Sequence, residues 1–457
     1  MNWFIIYLLI ISGLMFLLFQ IKNFSYQKEV TLCLSLLGIL LLSMPTFCML
    51  SISLIINYAI AKQLVLRGRK WLIVGISYNV ILLFSLKLIQ LDSSNQLFII
   101  LGVSFFSLQH ISYLYMTYRN SETMDFISFS LYIVYFPKFL SGPLEEPKVF
   151  LSNVILPTWK SFRLGIGRIC LGLLKKFIIA DRLAYSLDLF QEQKWTELPG
   201  ITQFLSEVAY TIQLYFNFSA FIDIVIGSSL LIGIKLNENF IFPLRSTSVT
   251  KFWQNWHITL MNWFRTYVYY PIAFRFRSNP FLSISLSVML LFLVSGIWHG
   301  LSITFIIWGL IHGLMIILES ILKKRQSNLG KPFFLQIKNF VGFCYTFLVV
   351  VFANIFFHAN SIKEALIKIK LIFNQPFWVN DFLFEITAPF QGGGLPFDSF
   401  NFKITLILIG IFLFFERSIH SIFTKGKYIF AVSIFTVILI SIFGRLTDSH
   451  EFIYAQF

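Results

Sequence analysis

Long apolar runs separated by short polar stretches set the pattern of this chain. The runs are continuous and do not alternate with a period of two, so they predict helices and not the strands of a membrane barrel. A bilayer core asks for roughly 20 apolar residues per helix, and about eleven to thirteen segments qualify as spanning or re-entrant. The first, residues 3–19, is longer than a signal-peptide core and has neither a basic leader nor a small-residue cleavage site after it, which predicts a retained span. Segments 30–43 and 46–61 meet at Met44 and Pro45, where proline predicts a turn or kink. Further runs cover 71–90, 97–118, 126–140, 201–234, 281–297, 301–321 and 333–357, and two more lie on either side of Lys425 and Lys427.

The polar stretches between these runs give them a direction. Lys62, Arg67, Arg69 and Lys70 form a basic loop, Arg275 and Arg277 a second, and Lys323, Lys324 and Arg325 a third. Basic loops face the cytoplasm, which places both termini outside. Residues 91–95 and 371–402 contain no Lys or Arg, as outer segments should. The same topology emerges from either end of the chain.

Composition narrows the class. Of 457 residues 57% are hydrophobic and 12% charged, with a mean hydropathy of +0.77, too little polar surface for a soluble globule. The net charge of +15 sits in short clusters that set membrane orientation, and no soluble basic domain exists to bind nucleic acid. Cys33, Cys48, Cys170 and Cys344 stand singly in apolar segments and read as small core hydrophobes, not as a metal site or disulfide framework. No internal repeat is visible, which counts against a secondary transporter.

Ionisable groups inside greasy segments are costly unless paired, solvated or used. His299, in Gly296-Ile297-Trp298-His299-Gly300, is the first such candidate. The runs 281–297 and 301–321 place His299 near the hairpin between two crossings, toward the outer half of the membrane; if residues 297–313 form one helix, His299 and His312 lie about 20 Å apart on nearly opposite faces, excluding a dyad or a shared metal. His110, beside Ser104, Ser107 and Gln109, reads as a packed, hydrogen-bonded histidine. Glu145 and Glu146 read as a solvated turn between two prolines. Arg163, Arg168, Lys175 and Lys176 suit a helix at the cytoplasmic interface whose long side chains reach headgroups; the alternative is attraction of an anionic acyl-CoA. Asp223, in an apolar run that also carries Asn217, must face a partner or a polar cavity. On one helix, Trp253, Trp256, Leu260, Trp263 and Tyr267 would share a face. That face reads as an interfacial aromatic belt or as the wall of a substrate path into which His257 and Arg265 project.

Several of these residues fall into an ordered series: Gly102-Val103-Ser104-Phe105-Phe106, Phe136-Pro137-Lys138, Ser141-Gly142-Pro143, Leu173-Leu174-Lys175-Lys176, Ala180-Asp181-Arg182-Leu183-Ala184, Asn237-Glu238-Asn239-Phe240, Trp256-His257-Ile258, Trp298-His299-Gly300 and Phe452-Ile453-Tyr454. In order and spacing the series resembles the membrane-bound O-acyltransferases, most closely the branch of the bacterial alginate O-acetylation membrane subunit. The resemblance implies an all-α polytopic membrane protein, one domain over 1–457, folded around a buried catalytic tunnel. Within it, 1–122 would supply amino-terminal spans, 123–322 the motif-bearing core and 323–457 the carboxyl-terminal spans.

His299 matches the family's principal histidine and His257 a second recurrent one, with Trp298, Trp256, Arg265, Asn217 and Asp223 as tunnel candidates. The chain departs from the family pattern at Thr266 and Asn217, where aspartate is common, and at Gln254 and Asn255, where a basic pair is usual. The implied reaction carries an acyl group from a cytoplasmic thioester, acetyl-CoA in the alginate branch, to a polysaccharide hydroxyl outside a bacterial cytoplasmic membrane, with a glycan-modifying partner protein. No bound cofactor or metal is implied. D-alanyl transfer toward teichoic acid is the alternative within the family, and a non-catalytic conduit or transporter the alternative outside it. A neutral imidazole fits the role of base for an attacking hydroxyl, and a dry site protects a thioester from water.

Overall fold

A computed structural model describes residues 2–20, 26–91, 100–154, 156–192, 200–325, 332–374, 399–425 and 428–444. Met1, the 92–95 loop, most of the 371–402 segment and the 452–457 motif lie outside the described residues. Described residues are almost entirely helical, with one isolated antiparallel bridge between Val154 and Ile234. Among them seven helices are long and apolar enough to cross a membrane, and Ile6–Phe19 and Ile429–Phe443 are shorter apolar helices. The chain is a multi-pass membrane protein.

The bundle is built around α10 (Gly200–Ile232), whose 33 residues extend about 50 Å. Its most apolar window is 94% buried, whereas the other six spans are buried over 22–44% and turn the rest outward. A helix surrounded by protein is where Glu207, Asn217 and Asp223 can be accommodated. Against α10 lies α8 (Trp159–Leu174), and the two approach closely because a Cβ on Gly227 would come within 2.6 Å of the Gly165 carbonyl oxygen.

The amino-terminal helices are α1 (Asn2–Phe19), α2 (Gln27–Leu42), α3 (Met44–Arg67), α4 (Arg69–Leu91), α5 (Val103–Asn120), α6 (Phe126–Val134) and α7 (Pro147–Ser152). The expected break near Pro45 is present: Ser43 leaves the helical region and accepts a hydrogen bond from Thr46 N at 3.3 Å. The expected basic loop after α3 is much shorter than its four charges suggested, because only Gly68, at φ 71°, separates α3 from α4. Segment 126–140 is likewise not one helix. Asp125 caps α6 through Ser128 N (2.9 Å), and the helix stops at Val134, ahead of Pro137.

The chain after α6 is buried, which corrects the reading of Glu145 as solvated. Glu145 is 4% exposed and accepts a 2.7 Å hydrogen bond from Asn237 N. Lys138, fully buried, places its ammonium over the rings of Tyr132 (4.3 Å) and Phe150 (4.0 Å) and within electrostatic reach of Glu145. Glu146 alone is exposed. Cys33 and Cys48 also differ from expectation, since both face outward; Cys170 is buried.

Past α8, a π-helical turn (Lys175–Ala180) leads into α9 (Asp181–Glu192). Here the interface-helix reading fails for three of the four basic residues. Arg168 and Lys175 point inward to Asp223, at 2.6 and 2.9 Å, and Lys176 pairs with Asp181 at 2.7 Å. Only Arg163 is exposed. The wide turn lets two adjacent lysines both reach buried partners.

The remaining helices are α11 (Val249–Asn255), α12 (Ile258–Phe264), α13 (Tyr270–Arg275), α14 (Pro280–His299), α15 (Ile303–Arg325), α16 (Pro332–His358), α17 (Ile362–Asn374), α18 (Ser399–Thr424) and α19 (Ile429–Phe443). One buried apolar core runs through the bundle from Leu8 on α1 to Val432 on α19.

Candidate active site

The histidine stretch folds as a hairpin. α14 ends at His299, Gly300 is extended, and α15 begins at Ile303. The two helices close tightly: a Cβ on Gly296 would strike the Phe305 carbonyl, and one on Gly309 the Phe292 carbonyl. The hairpin expected at His299 is present, and residues 297–313 are not one helix, so the 20 Å separation of His299 and His312 does not hold. The return helix brings Trp308 back against His299, at 5.1 Å between ring centroids, and His312 lies on the same Trp308 at 5.2 Å. Two imidazoles thus flank one indole.

His299 is wrapped in rings. Trp298 (4.8 Å), Phe357 of α16 (5.3 Å) and Phe305 (6.4 Å) complete its surroundings. Trp298 is anchored by donating Nε1–H to the Ser104 carbonyl at 3.2 Å. Lys87, from α4, donates to the carbonyl oxygens of Trp298 and of His299, the latter at 3.2 Å. A cation at a helix C-terminus satisfies carbonyls that have no partner within the helix. Lys87 drew no notice in the sequence because a lone lysine near the end of an apolar run looks like an interfacial anchor.

On the far side of Trp308 is a small cavity of about 10 Å³, room for one water, lined among others by Trp253, Trp256, Trp308, His312, Phe357 and Asn354. Its polar edge is Asn354, which donates to Thr211 Oγ1 on α10 at 3.2 Å. The buried Nε1 atoms of Trp253 and Trp308 and Nδ1 of His312 have no hydrogen-bond partner among the described residues. Buried donors without partners are rare unless a ligand uses them. Trp256 and His312 line the cavity, whereas His299 packs on Trp308 and Phe357 and is not among the lining residues.

His257 comes to this region through a break in what looked like one aromatic helix. α11 ends at Asn255, His257 adopts the left-handed conformation at φ 45°, and α12 starts at Ile258. The shared face from Trp253 to Tyr267 therefore does not form. Asn239 locks the break: its backbone carbonyl accepts Ile258 N (3.0 Å), and its side-chain oxygen accepts Thr259 N (3.0 Å) and Thr259 Oγ1–H (2.9 Å). The same oxygen lies 3.3 Å from His257 Nδ1. Such strain in a non-glycine residue persists only where its surroundings hold it. Burial among Phe218 (4.9 Å), Phe105 (6.2 Å) and Phe240 pushes the His257 imidazole well down, to about 3, so it is neutral. His257 and His299 lie within electrostatic reach of each other. α11 is held onto α15 by Glu319, whose carboxylate accepts Thr250 N (3.0 Å) and Thr250 Oγ1–H (2.6 Å).

The other candidates separate. Arg265 is partly exposed and bonds locally to Asn262 Oδ1 at 3.1 Å, so it does not join the histidines. Asn217 is fully buried on α10. Asp223 belongs to a distinct charged cluster in which Arg168 also pairs with Glu238 and bonds His420 Nε2 at 2.7 Å. His110 is packed, with Nδ1 2.7 Å from the Phe106 carbonyl. No group of three His, Cys, Asp or Glu side chains among the described residues could hold a metal ion.

The sequence model described as the membrane-bound O-acyltransferase family matches residues 69–361. The chain is 29% identical over 366 residues to the peptidoglycan O-acetyltransferase of Helicobacter pylori, covering 70% of this chain and 68% of the relative. It is 31% identical over 332 residues to the probable alginate O-acetylase AlgI of Pseudomonas aeruginosa, covering 68% and 62%. With the teichoic acid D-alanyltransferase of Bacillus subtilis it shares 29% over 235 residues, covering 47% and 58%. The chain thus spans about two thirds or less of the length of these relatives.

Proposed function

The chain belongs to the membrane-bound O-acyltransferase family, and from that premise we propose that it moves an acetyl group from a cytoplasmic thioester, acetyl-CoA, to hydroxyls of an extracytoplasmic polysaccharide. In this reading it works in a bacterial cytoplasmic membrane together with an extracytoplasmic partner protein. Acetyl is favoured over D-alanyl because the peptidoglycan O-acetyltransferase and the Pseudomonas aeruginosa alginate O-acetylase align over 70% and 68% of this chain, against 47% and 58% for two teichoic acid D-alanyltransferases.

The observation that carries the proposal is the packing of His299 and His312 on the same Trp308, beside a cavity lined by Trp253 and Trp308, whose buried N–H groups have no partner among the described residues. His299, neutral, takes the proton of the attacking hydroxyl as its oxygen adds to the thioester carbonyl. The N–H groups of Trp253 and Trp308 are the available donors for the developing oxyanion. Collapse expels the thiolate, which recovers the proton from the imidazolium. Ring walls keep water from the thioester. A second reading exchanges the histidines: His312, which lines the cavity, serves as base and His299 orients the hairpin.

The test is replacement of His299 and His312 by Ala, one at a time, with envelope O-acetyl esters measured as base-released acetate and membrane abundance checked by immunoblot. Loss of acetylation with His299→Ala is expected. Unchanged acetylation in both variants would sink the proposal in favour of a conduit, and a loss confined to His312→Ala would transfer the base role to that residue.

A further inference from the structure

The histidine cavity is not the only opening at this end of the bundle. Where the C-terminus of α16 meets α17 and the first turns of α10 is a cleft of about 690 Å³, lined among others by Ser206, Glu207, His358, Asn360, Glu364 and Lys368. That volume falls within the roughly 300–1,000 Å³ typical of small-molecule sites.

Its walls are organised. Glu207, 4% exposed, pairs with Lys368 at 3.2 Å, and Lys368 lies 3.7 Å from Glu364 and 3.4 Å from His358 Nδ1. The second carboxylate oxygen of Glu207 has no hydrogen-bond partner among the described residues. His358 stacks on Tyr210 at 4.1 Å, with 14° between the rings.

The cleft and the cavity are neighbours along the same two helices. Thr211 lies one turn past Glu207 on α10, and Asn354 one turn before His358 on α16; these two are bonded to each other and line the histidine cavity. One turn is about 6 Å. Phe357, next in the chain to His358 of the cleft, lines the cavity and packs on His299.

We propose that the cleft is the acceptor site, and that it binds a neutral, hydroxyl-rich saccharide whose hydroxyl is presented past Phe357 toward His299; this rests on the acyl-transfer reading above. The lining chemistry selects the ligand. The carboxylates of Glu207 and Glu364 are balanced by the ammonium groups of Lys363 and Lys368, so the cleft has no net charge to attract an ion. Its lining carries both donors, Lys363 and Lys368, and acceptors, Glu207 and Glu364, with Ser206 and Asn360 able to act as either, as a polyol requires. An apolar acyl chain would cover these charged and polar groups without hydrogen-bonding to any of them.

The full chain in nanodiscs is examined by saturation-transfer NMR with chitotetraose as the probe, a readout that needs no transfer activity. Transfer of saturation to the sugar is expected for the wild type and for His299→Ala. It is expected to fall at least tenfold in Lys363→Trp, which fills the cleft from an exposed rim position, and severalfold in Glu207→Gln. Absence of signal in the wild type, or a signal unchanged in Lys363→Trp, overturns the proposal. Sugar binding that persists in a His299→Ala protein with undiminished acetylation would leave the cleft standing and remove the base assignment instead.

Discussion

Lys87→Met removes the ammonium that closes the C-terminus of α14 without emptying the space its methylenes fill. The side chain is 9% exposed, and its donors meet the carbonyls of Trp298 and His299. Leaving a buried acceptor without a partner costs about 1–3 kcal/mol, and a cation at a partly buried helix C-terminus contributes up to about 2 kcal/mol. Relief of the desolvated ammonium offsets part of this, so a net loss of about 2 kcal/mol is expected. The larger effect should fall on catalysis, because a shift of about 1 Å in a reacting group can cost on the order of 100-fold. Lys87→Arg keeps the charge and should retain most activity. Thermal unfolding in detergent measures the first quantity, acetyl transfer the second, and amide exchange across 296–303 reports whether the hairpin end has loosened. If Lys87→Met matched the wild type in transfer and exchange, the carbonyl clamp would have no part in placing His299.

Asp223→Asn removes the carboxylate of Lys175 and leaves Arg168 with Glu238 alone, and should cost about 3–5 kcal/mol; the Asp223→Asn, Lys175→Met double variant should recover part of the lost thermal midpoint. Gly309→Val drives a methyl group into the Phe292 carbonyl, and the overpacked hairpin should lose about 1–3 kcal/mol and most transfer activity. His257 is held neutral when folded, whereas the unfolded chain protonates it below its ordinary value of 6.5. The unfolded state then binds more protons, so this stabilisation is complete above 6.5 and declines as pH falls, by about 1.4 kcal/mol per unit, until about 3. His257→Gln should show a flatter dependence of thermal midpoint on pH than the wild type between about pH 7 and 5; identical slopes would contradict the burial of that imidazole.

Period and length were enough to read the seven span-length helices among the described residues, because a 20-residue apolar run admits few structures in a bilayer, whereas 126–140 passed the same test and breaks after Val134. The break at Pro45 and the hairpin around His299 also followed from local signals, a proline and a glycine-flanked histidine between two runs. What the pattern could not convey was which way a charge points. Arg168 and Lys175 look the same in sequence whether they reach outward to headgroups or inward to Asp223, since the partner is 48 or more residues away. The aromatic face from Trp253 to Tyr267 failed for a similar reason. Its 3.6-residue period was genuine, but Asn239, from a preceding loop, holds His257 in a conformation that no periodicity records. The hairpin alone does not say how closely its arms pack, and it is the close return at Gly296 and Gly309 that brings His312 beside His299's indole neighbour.

The inward cations of α8 also bear on how the protein is made. Each arginine or lysine at the centre of a membrane helix weighs about 2.5–3.5 kcal/mol against insertion. Arg168, on α8, and Lys175, in the turn after it, are synthesised before α10 and so before Asp223 and Glu238, the carboxylates they pair with. On its own α8 is a poor candidate for transfer from the translocon into lipid. Its interior position therefore depends on α10, because the ion cluster that joins the two can form only once α10 and the loop after it have been made.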